Sequence, residues 1–173
     1  HTRWATHGPA TDENAHPHAS NDGRFAIVHN GIIENATPLR ARLEAHGNHF
    51  VSETDSEVLA HLIASIDADS LLERVRIALD EIEGTYGLLV IDARTPGQIV
   101  AARNGSPVVL GIGDKEMMVG SDVAAFVRHT QQVIYLDDGD IAEISASGYR
   151  VIDRDAVTAH KQPVAIDWAA DTY

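Results

Sequence analysis

From Gly84 onward the chain changes character. Helical spacing of apolar residues stops, and short β-rich runs follow at 86–91, 99–102, 108–112, 117–120, 133–135, 141–144 and 149–152. Turn signals separate them, among them Thr95-Pro96-Gly97, Asn104-Gly105-Ser106-Pro107 and Asp137-Asp138-Gly139, and such spacing joins strands as hairpins rather than through crossover helices. Upstream, the spacing predicts three helices. One runs over 37–46 with Thr37 as N-cap, Pro38 in the first turn and Gly47 as stop. A second runs over 54–65 from the capping-box pair Thr54 and Glu57, and a third over 69–83. A brief strand at Phe50-Val51 and a short helix over 121–127 capped by Ser121 complete the pattern. Helices followed by many hairpin-spaced strands make an α+β fold with largely antiparallel sheets. The stretch after Asp153 has little periodicity and reads as a linker.

One further strand precedes the helices. Phe25, Ala26, Ile27 and Val28 form an apolar run, and Asn30-Gly31 is expected to break it. From local spacing alone the break reads first as a hairpin turn, the arrangement Asn-Gly most favours. The other reading is chemical: a carboxamide and an unobstructed glycine N–H at the end of a rigid strand are the two donors that an oxyanion hole requires.

The 173 residues carry a formal charge of -13, which disfavours nucleic acid and anionic membranes as partners. No apolar run reaches the roughly 20 residues of a membrane span, so a cytoplasmic location is expected. Cysteine is absent, which excludes disulfides, zinc-thiolate sites and a thiol nucleophile within these residues. Eight of the ten His residues precede residue 62, and His1, His7, His16, His18 and His29 invite a metal-hydrolase reading. No clustered carboxylate motif accompanies them, and no metal or organic cofactor is expected.

Four motifs occur in order: H-T-R-W-A-T-H-G at 1–8, N-A-H-P-H at 14–18, V-H-N-G-I-I-E-N at 28–35 and S-E-T-D-S-E-V at 52–58. With R-N-G-S-P-V-V-L-G-I-G and V-G-S-D-V-A-A-F further on, the chain resembles the glutaminase (class II amidotransferase) domains of the glucosamine-6-phosphate synthase family. The resemblance implies an N-terminal nucleophile hydrolase fold, an αββα four-layer sandwich with antiparallel sheets. It also implies that the first strands and helix are missing, since the family's nucleophilic Cys would lie upstream of His1. Residues 1–153 would then be a truncated glutaminase domain, and 154–173 a linker toward an absent sugar isomerase domain.

By the same resemblance Arg3 would hold the α-carboxylate of glutamine, Asp55 the α-ammonium, and Asn30 with Gly31 the oxyanion. Trp4, Thr6 and His7 would belong to a loop that closes over the substrate. The implied parent enzyme is a homodimer that hydrolyses glutamine and supplies ammonia to convert fructose 6-phosphate to glucosamine 6-phosphate. A non-catalytic glutamine-binding regulatory module is the alternative that the missing thiol suits directly. The 173 residues alone are expected to release no glutamate from glutamine, and measurable glutamate from the purified chain would overturn that.

Overall fold

The computed structural model describes residues 8–167. Ten strands and three helices follow in chain order: β1 (His18–Ala19), β2 (Phe25–Ile33), α1 (Ala36–Ala45), α2 (Ser56–Ser65), α3 (Leu71–Asp80), β3 (Gly84–Asp92), β4 (Gln98–Asn104), β5 (Val109–Ile112), β6 (Met117–Gly120), β7 (Gln132–Tyr135), β8 (Ile141–Ser145), β9 (Gly148–Ile152) and β10 (Val164–Ala165). Two antiparallel sheets result, one ordered β1-β2-β3-β4-β8-β9 and one ordered β10-β7-β5-β6.

The strand runs read as continuous apolar segments because the larger sheet is buried on both faces in its middle. Leu88, Val90, Val100 and Ala102 pack under the helices, while Ala101, Ala142 and Ile144 pack against Leu110 and Ile134 of the smaller sheet. Alternation along a strand sends neighbours to opposite faces. The layer order is therefore helices, large sheet, small sheet. Beyond the small sheet, the outermost layer among the described residues is a 3₁₀ turn, Val123–Ala125, whose Val123 joins Phe126 over Val109 and Val133.

Several local expectations are corrected. α1 starts at Ala36, and Asn35 rather than Thr37 stands at its N-cap position. The Asn35 side chain instead bridges to the approach of β3, donating to the Glu81 carbonyl at 2.8 Å and accepting from the Glu83 N–H at 3.1 Å. Phe50-Val51 forms no strand, because Phe50 turns its ring onto His61 and under the Arg40 guanidinium. Asp122, not Ser121, caps the 3₁₀ turn. The stretch after Asp153 is docked: β10 pairs with β7, and Lys161 forms ion pairs with Asp137 and Asp140.

α2 is buried on nearly every side, between β2, α1 and α3, so its polar residues must find partners inside. Half of the expected capping box forms, with Thr54 Oγ1 accepting from the Glu57 N–H at 3.3 Å. The Glu57 carboxylate goes elsewhere. It accepts from the Val51 N–H at 2.9 Å, the Ser52 N–H at 2.7 Å and the Ser52 hydroxyl at 2.6 Å, with His61 Nε2 at 3.4 Å. Burial pushes this carboxyl up, but the His61, Ser52 and backbone donors outweigh it and hold the pKa at about 2 against an ordinary 4.5.

A carboxylate with a depressed folded pKa stabilises the fold above its unfolded pKa and loses that contribution as pH falls. Here the contribution is about 3 kcal/mol, lost between about pH 5 and pH 2. Glu57→Gln should lower stability at neutral pH and flatten this acid limb, measured by urea midpoints across that range. Parallel curves for wild type and variant would refute the assignment.

Candidate active site

The expected break at Asn30-Gly31 does not occur. β2 runs through it in register with β3, Asn30 opposite Gly87, Gly31 opposite Tyr86 and Ile33 opposite Gly84, so the hairpin reading falls. What the glycine supplies is closeness. Gly31 has φ +135°, and a Cβ there would sit 2.2 Å from the Thr85 carbonyl oxygen and 3.1 Å from His29 Nε2. Only a residue without a side chain lets the two strands approach in this way.

The ladder then determines which way the backbone donors of β2 point. Ala93 donates to the Arg24 carbonyl at 2.8 Å and Glu34 to the Glu83 carbonyl at 2.9 Å, both on the β2–β3 register. In an antiparallel pair such bonded positions alternate with unbonded ones. Even-numbered residues of β2 therefore face β3, and odd-numbered ones turn their N–H groups to the opposite edge. β1 covers that edge only at Ala26 and Ile27. Further along, the His29 N–H meets His16 Nε2 at 3.4 Å, and the Ile33 N–H donates to Asp55 Oδ2 at 2.7 Å. Alternation assigns the Gly31 N–H to the same edge, between these two occupied positions. The neighbouring Asn30 side chain is exposed, and no hydrogen bond engages it among the described residues.

Asp55 is buried at the start of α2. Its carboxylate stands one two-residue repeat from Gly31, about 7 Å along the strand, a separation on the scale of a glutamine side chain. The loop that carries it is braced from the N-terminal side. Asn14 Oδ1 accepts from the Glu53 N–H at 2.8 Å, and His18 Nε2 lies 3.3 Å from Thr54 Oγ1. Gly8, at φ +70°, packs so tightly that a Cβ would come within 2.7 Å of Asn14 and 3.1 Å of Glu53. A pocket of ≈ 430 Å³ shares Asp55 but is walled by Ala36, Thr37 and Arg40 of α1 and does not include Asn30 or Gly31.

Of the residues expected at a site, then, Asn30, Gly31 and Asp55 come together at one end of β2. Arg3, Trp4, Thr6 and His7 lie outside the described residues, as does His1 of the metal reading. That reading gains nothing from His16, His18 and His29: the first two stack edge to face at 5.4 Å, and no group of three His, Asp or Glu residues suited to a metal occurs among the described residues.

Sequence reasoning missed the supporting set. His29 is buried, with Nδ1 2.8 Å from Ser56 Oγ and Nε2 3.2 Å from the Thr85 carbonyl. Burial lowers its pKa against the opposing pull of the Thr85 carbonyl and the Asp55 carboxylate, so the ring is neutral at pH 7. Asn104 and Gly105 buttress the other side of Thr85, Asn104 donating to the Gly84 carbonyl at 2.8 Å and Gly105 pairing with Tyr86. Of His29, Ser56, Thr85 and Asn104, three lie in motifs quoted above, His29 beside Asn30, Ser56 beside Asp55 and Asn104 beside Gly105, whereas Thr85 lies outside them.

Comparison with known proteins gives a consistent picture. A family model described as a glutamine amidotransferase domain matches residues 1–128. Proteins named glutamine--fructose-6-phosphate aminotransferase [isomerizing] are similar. That of Mycobacterium bovis is 48% identical over 97% of this chain, and that of a Thermus thermophilus strain is 45% identical over 99%. The chain spans 28% of the length of each. Among solved structures, the glutamine phosphoribosylpyrophosphate amidotransferase of B. subtilis superposes with a TM-score of 0.72 at 29% identity, covering 89% of this chain and 34% of that one. A class-II glutamine aminotransferase domain protein from Silicibacter pomeroyi shares the fold at a TM-score of 0.55 and 21% identity, over 82% of this chain and 70% of that one.

Because a side chain at residue 31 must collide with the Thr85 carbonyl, Gly31→Ala should destabilise the fold by at least about 2 kcal/mol. Chemical denaturation measures this, and a variant as stable as wild type would show that the two strands can separate locally.

Proposed function

The chain belongs to the glutamine amidotransferase domain family, and from that membership we propose that it binds glutamine along the outer edge of β2 within an enzyme that makes glucosamine 6-phosphate. In this reading the substrate ammonium meets Asp55 and the side-chain amide lies over Asn30 and Gly31. A thiolate attacks the amide carbon, its π electrons move to oxygen, and the oxyanion accepts hydrogen bonds from the Asn30 carboxamide and the Gly31 N–H. As the adduct collapses to a thioester, the leaving nitrogen takes up the proton lost by the thiol and departs as ammonia; water then hydrolyses the thioester to glutamate, and a sugar isomerase domain uses the ammonia to convert fructose 6-phosphate.

None of the 173 residues is a cysteine, so the thiol this reading requires is not among them. Arg3 would hold the α-carboxylate, with Trp4, Thr6 and His7 closing over the ligand. Support for that comes from Gly8, next in the chain to His7, which packs on Glu53 two residues from Asp55. Residues 1–153 together with the docked segment through β10 would form the glutaminase unit, and the chain beyond it would lead toward the isomerase domain, in a cytoplasmic homodimer. No helix among the described residues is long and apolar enough to cross a membrane.

The observation that carries the reading is the β2 edge, where the Gly31 N–H lies between two N–H groups that side chains already occupy. Asn30→Ala in the full-length enzyme should lower the glutaminase kcat by roughly 10²- to 10³-fold with a smaller effect on KM. An unchanged kcat would remove Asn30 from the oxyanion hole.

A further inference from the structure

We propose that His29 is a positioning residue for this site. Its ring holds the Asp55 end through one nitrogen and the Gly31 end through the other. The inference rests on the glutaminase reading above and extends it to a group that touches no substrate atom.

The Thr85 carbonyl can only accept, so the contact with Nε2 at 3.2 Å places the ring hydrogen on Nε2. Nδ1 is then a bare acceptor, and the 2.8 Å contact to Ser56 Oγ is a hydroxyl donating to it. Both ring nitrogens are committed, and one tautomer satisfies both partners.

Each partner adjoins one half of the site. Ser56 is the first residue of α2 and follows Asp55 directly, so its hydroxyl ties the start of that helix to β2. The Thr85 oxygen is the same atom that lies against Gly31. Nε2 reaches that oxygen from the glycine's own side, 3.1 Å from where a Cβ at residue 31 would stand, so it fixes the carbonyl against the glycine and thereby where the Gly31 N–H points. The ring is buried, which leaves it little room to turn without breaking one contact or the other.

Two variants separate the links, because the amides of Asn and Gln each reproduce one nitrogen. In Asn the carbonyl oxygen stands near the place of Nδ1 and keeps the Ser56 bond; in Gln the amide nitrogen stands near Nε2 and keeps the Thr85 bond. Steady-state glutamate release by the full-length enzyme reads the outcome. His29→Asn should lower kcat with KM for glutamine held within about twofold, whereas His29→Gln should raise KM with kcat held. Each change should be roughly fivefold to tenfold, the scale of one lost hydrogen bond.

Ser56→Ala removes the Asp55-side link without touching the ring and should reproduce the KM rise alone. It also decides the matter if both His29 variants fail to fold. KM does not depend on the fraction of enzyme that is active, so general destabilisation cannot mimic the KM rise of His29→Gln and Ser56→Ala, and active-site titration corrects the kcat of His29→Asn for its folded fraction. An active wild type in which kcat and KM move together in both His29 variants, or in which Ser56→Ala leaves KM unchanged, overturns the inference alone. A wild type that releases no glutamate overturns the glutaminase reading and this inference with it.

Discussion

A strand edge that is not covered by another strand must find other partners for its N–H groups or leave them to solvent and ligands. β2 meets this constraint in three ways along one edge. β1 covers it at Ala26 and Ile27, His16 meets the His29 N–H, and the Asp55 carboxylate takes the Ile33 N–H. The candidate site is what remains. A carboxylate that ties α2 to the sheet and a glycine donor one repeat away share an edge because the same backbone alternation directs both.

Holding that edge in place requires a second, buried layer of polar contacts. The Glu57 carboxylate gathers the Val51 and Ser52 N–H groups and the Ser52 hydroxyl, and Asn14 and His18 brace the same loop from outside. A buried carboxylate with this many donors keeps its charge despite desolvation. The loop leading to Asp55 is therefore set by hydrogen bonds, while apolar packing of α2 beneath the sheet holds the helix itself. His29 joins the two systems, since its ring meets α2 on one side and β3 on the other.

The N-A-H-P-H motif illustrates how a cluster of His residues can be misread. Spacing makes His16 and His18 look like a pair of metal ligands, yet His18 lies against Thr54 and His16 meets the backbone of β2. Both brace the segments that carry Asp55 and Gly31. Imidazole suits such places because one ring nitrogen can donate while the other accepts.

The amino-acid sequence by itself determined the kinds of element and their approximate places: helices expected over 37–46, 54–65 and 69–83 form over 36–45, 56–65 and 71–80, and strands expected at 99–102, 108–112 and 149–152 form at 98–104, 109–112 and 148–152, following local periodicity and glycine stops. It also singled out Asn30, Gly31 and Asp55 through motif resemblance. Tertiary structure alone decided that Asn30-Gly31 lies within a strand and is not a turn. A local dipeptide cannot report that Thr85, 54 positions beyond Gly31, will press its carbonyl against the glycine. Nor could spacing reveal that Asp55 closes on Ile33 or that His29 spans Ser56 and Thr85. Those contacts join residues far apart in the chain, and they form only when the sheet register and the docking of α2 bring the polar groups within hydrogen-bond reach.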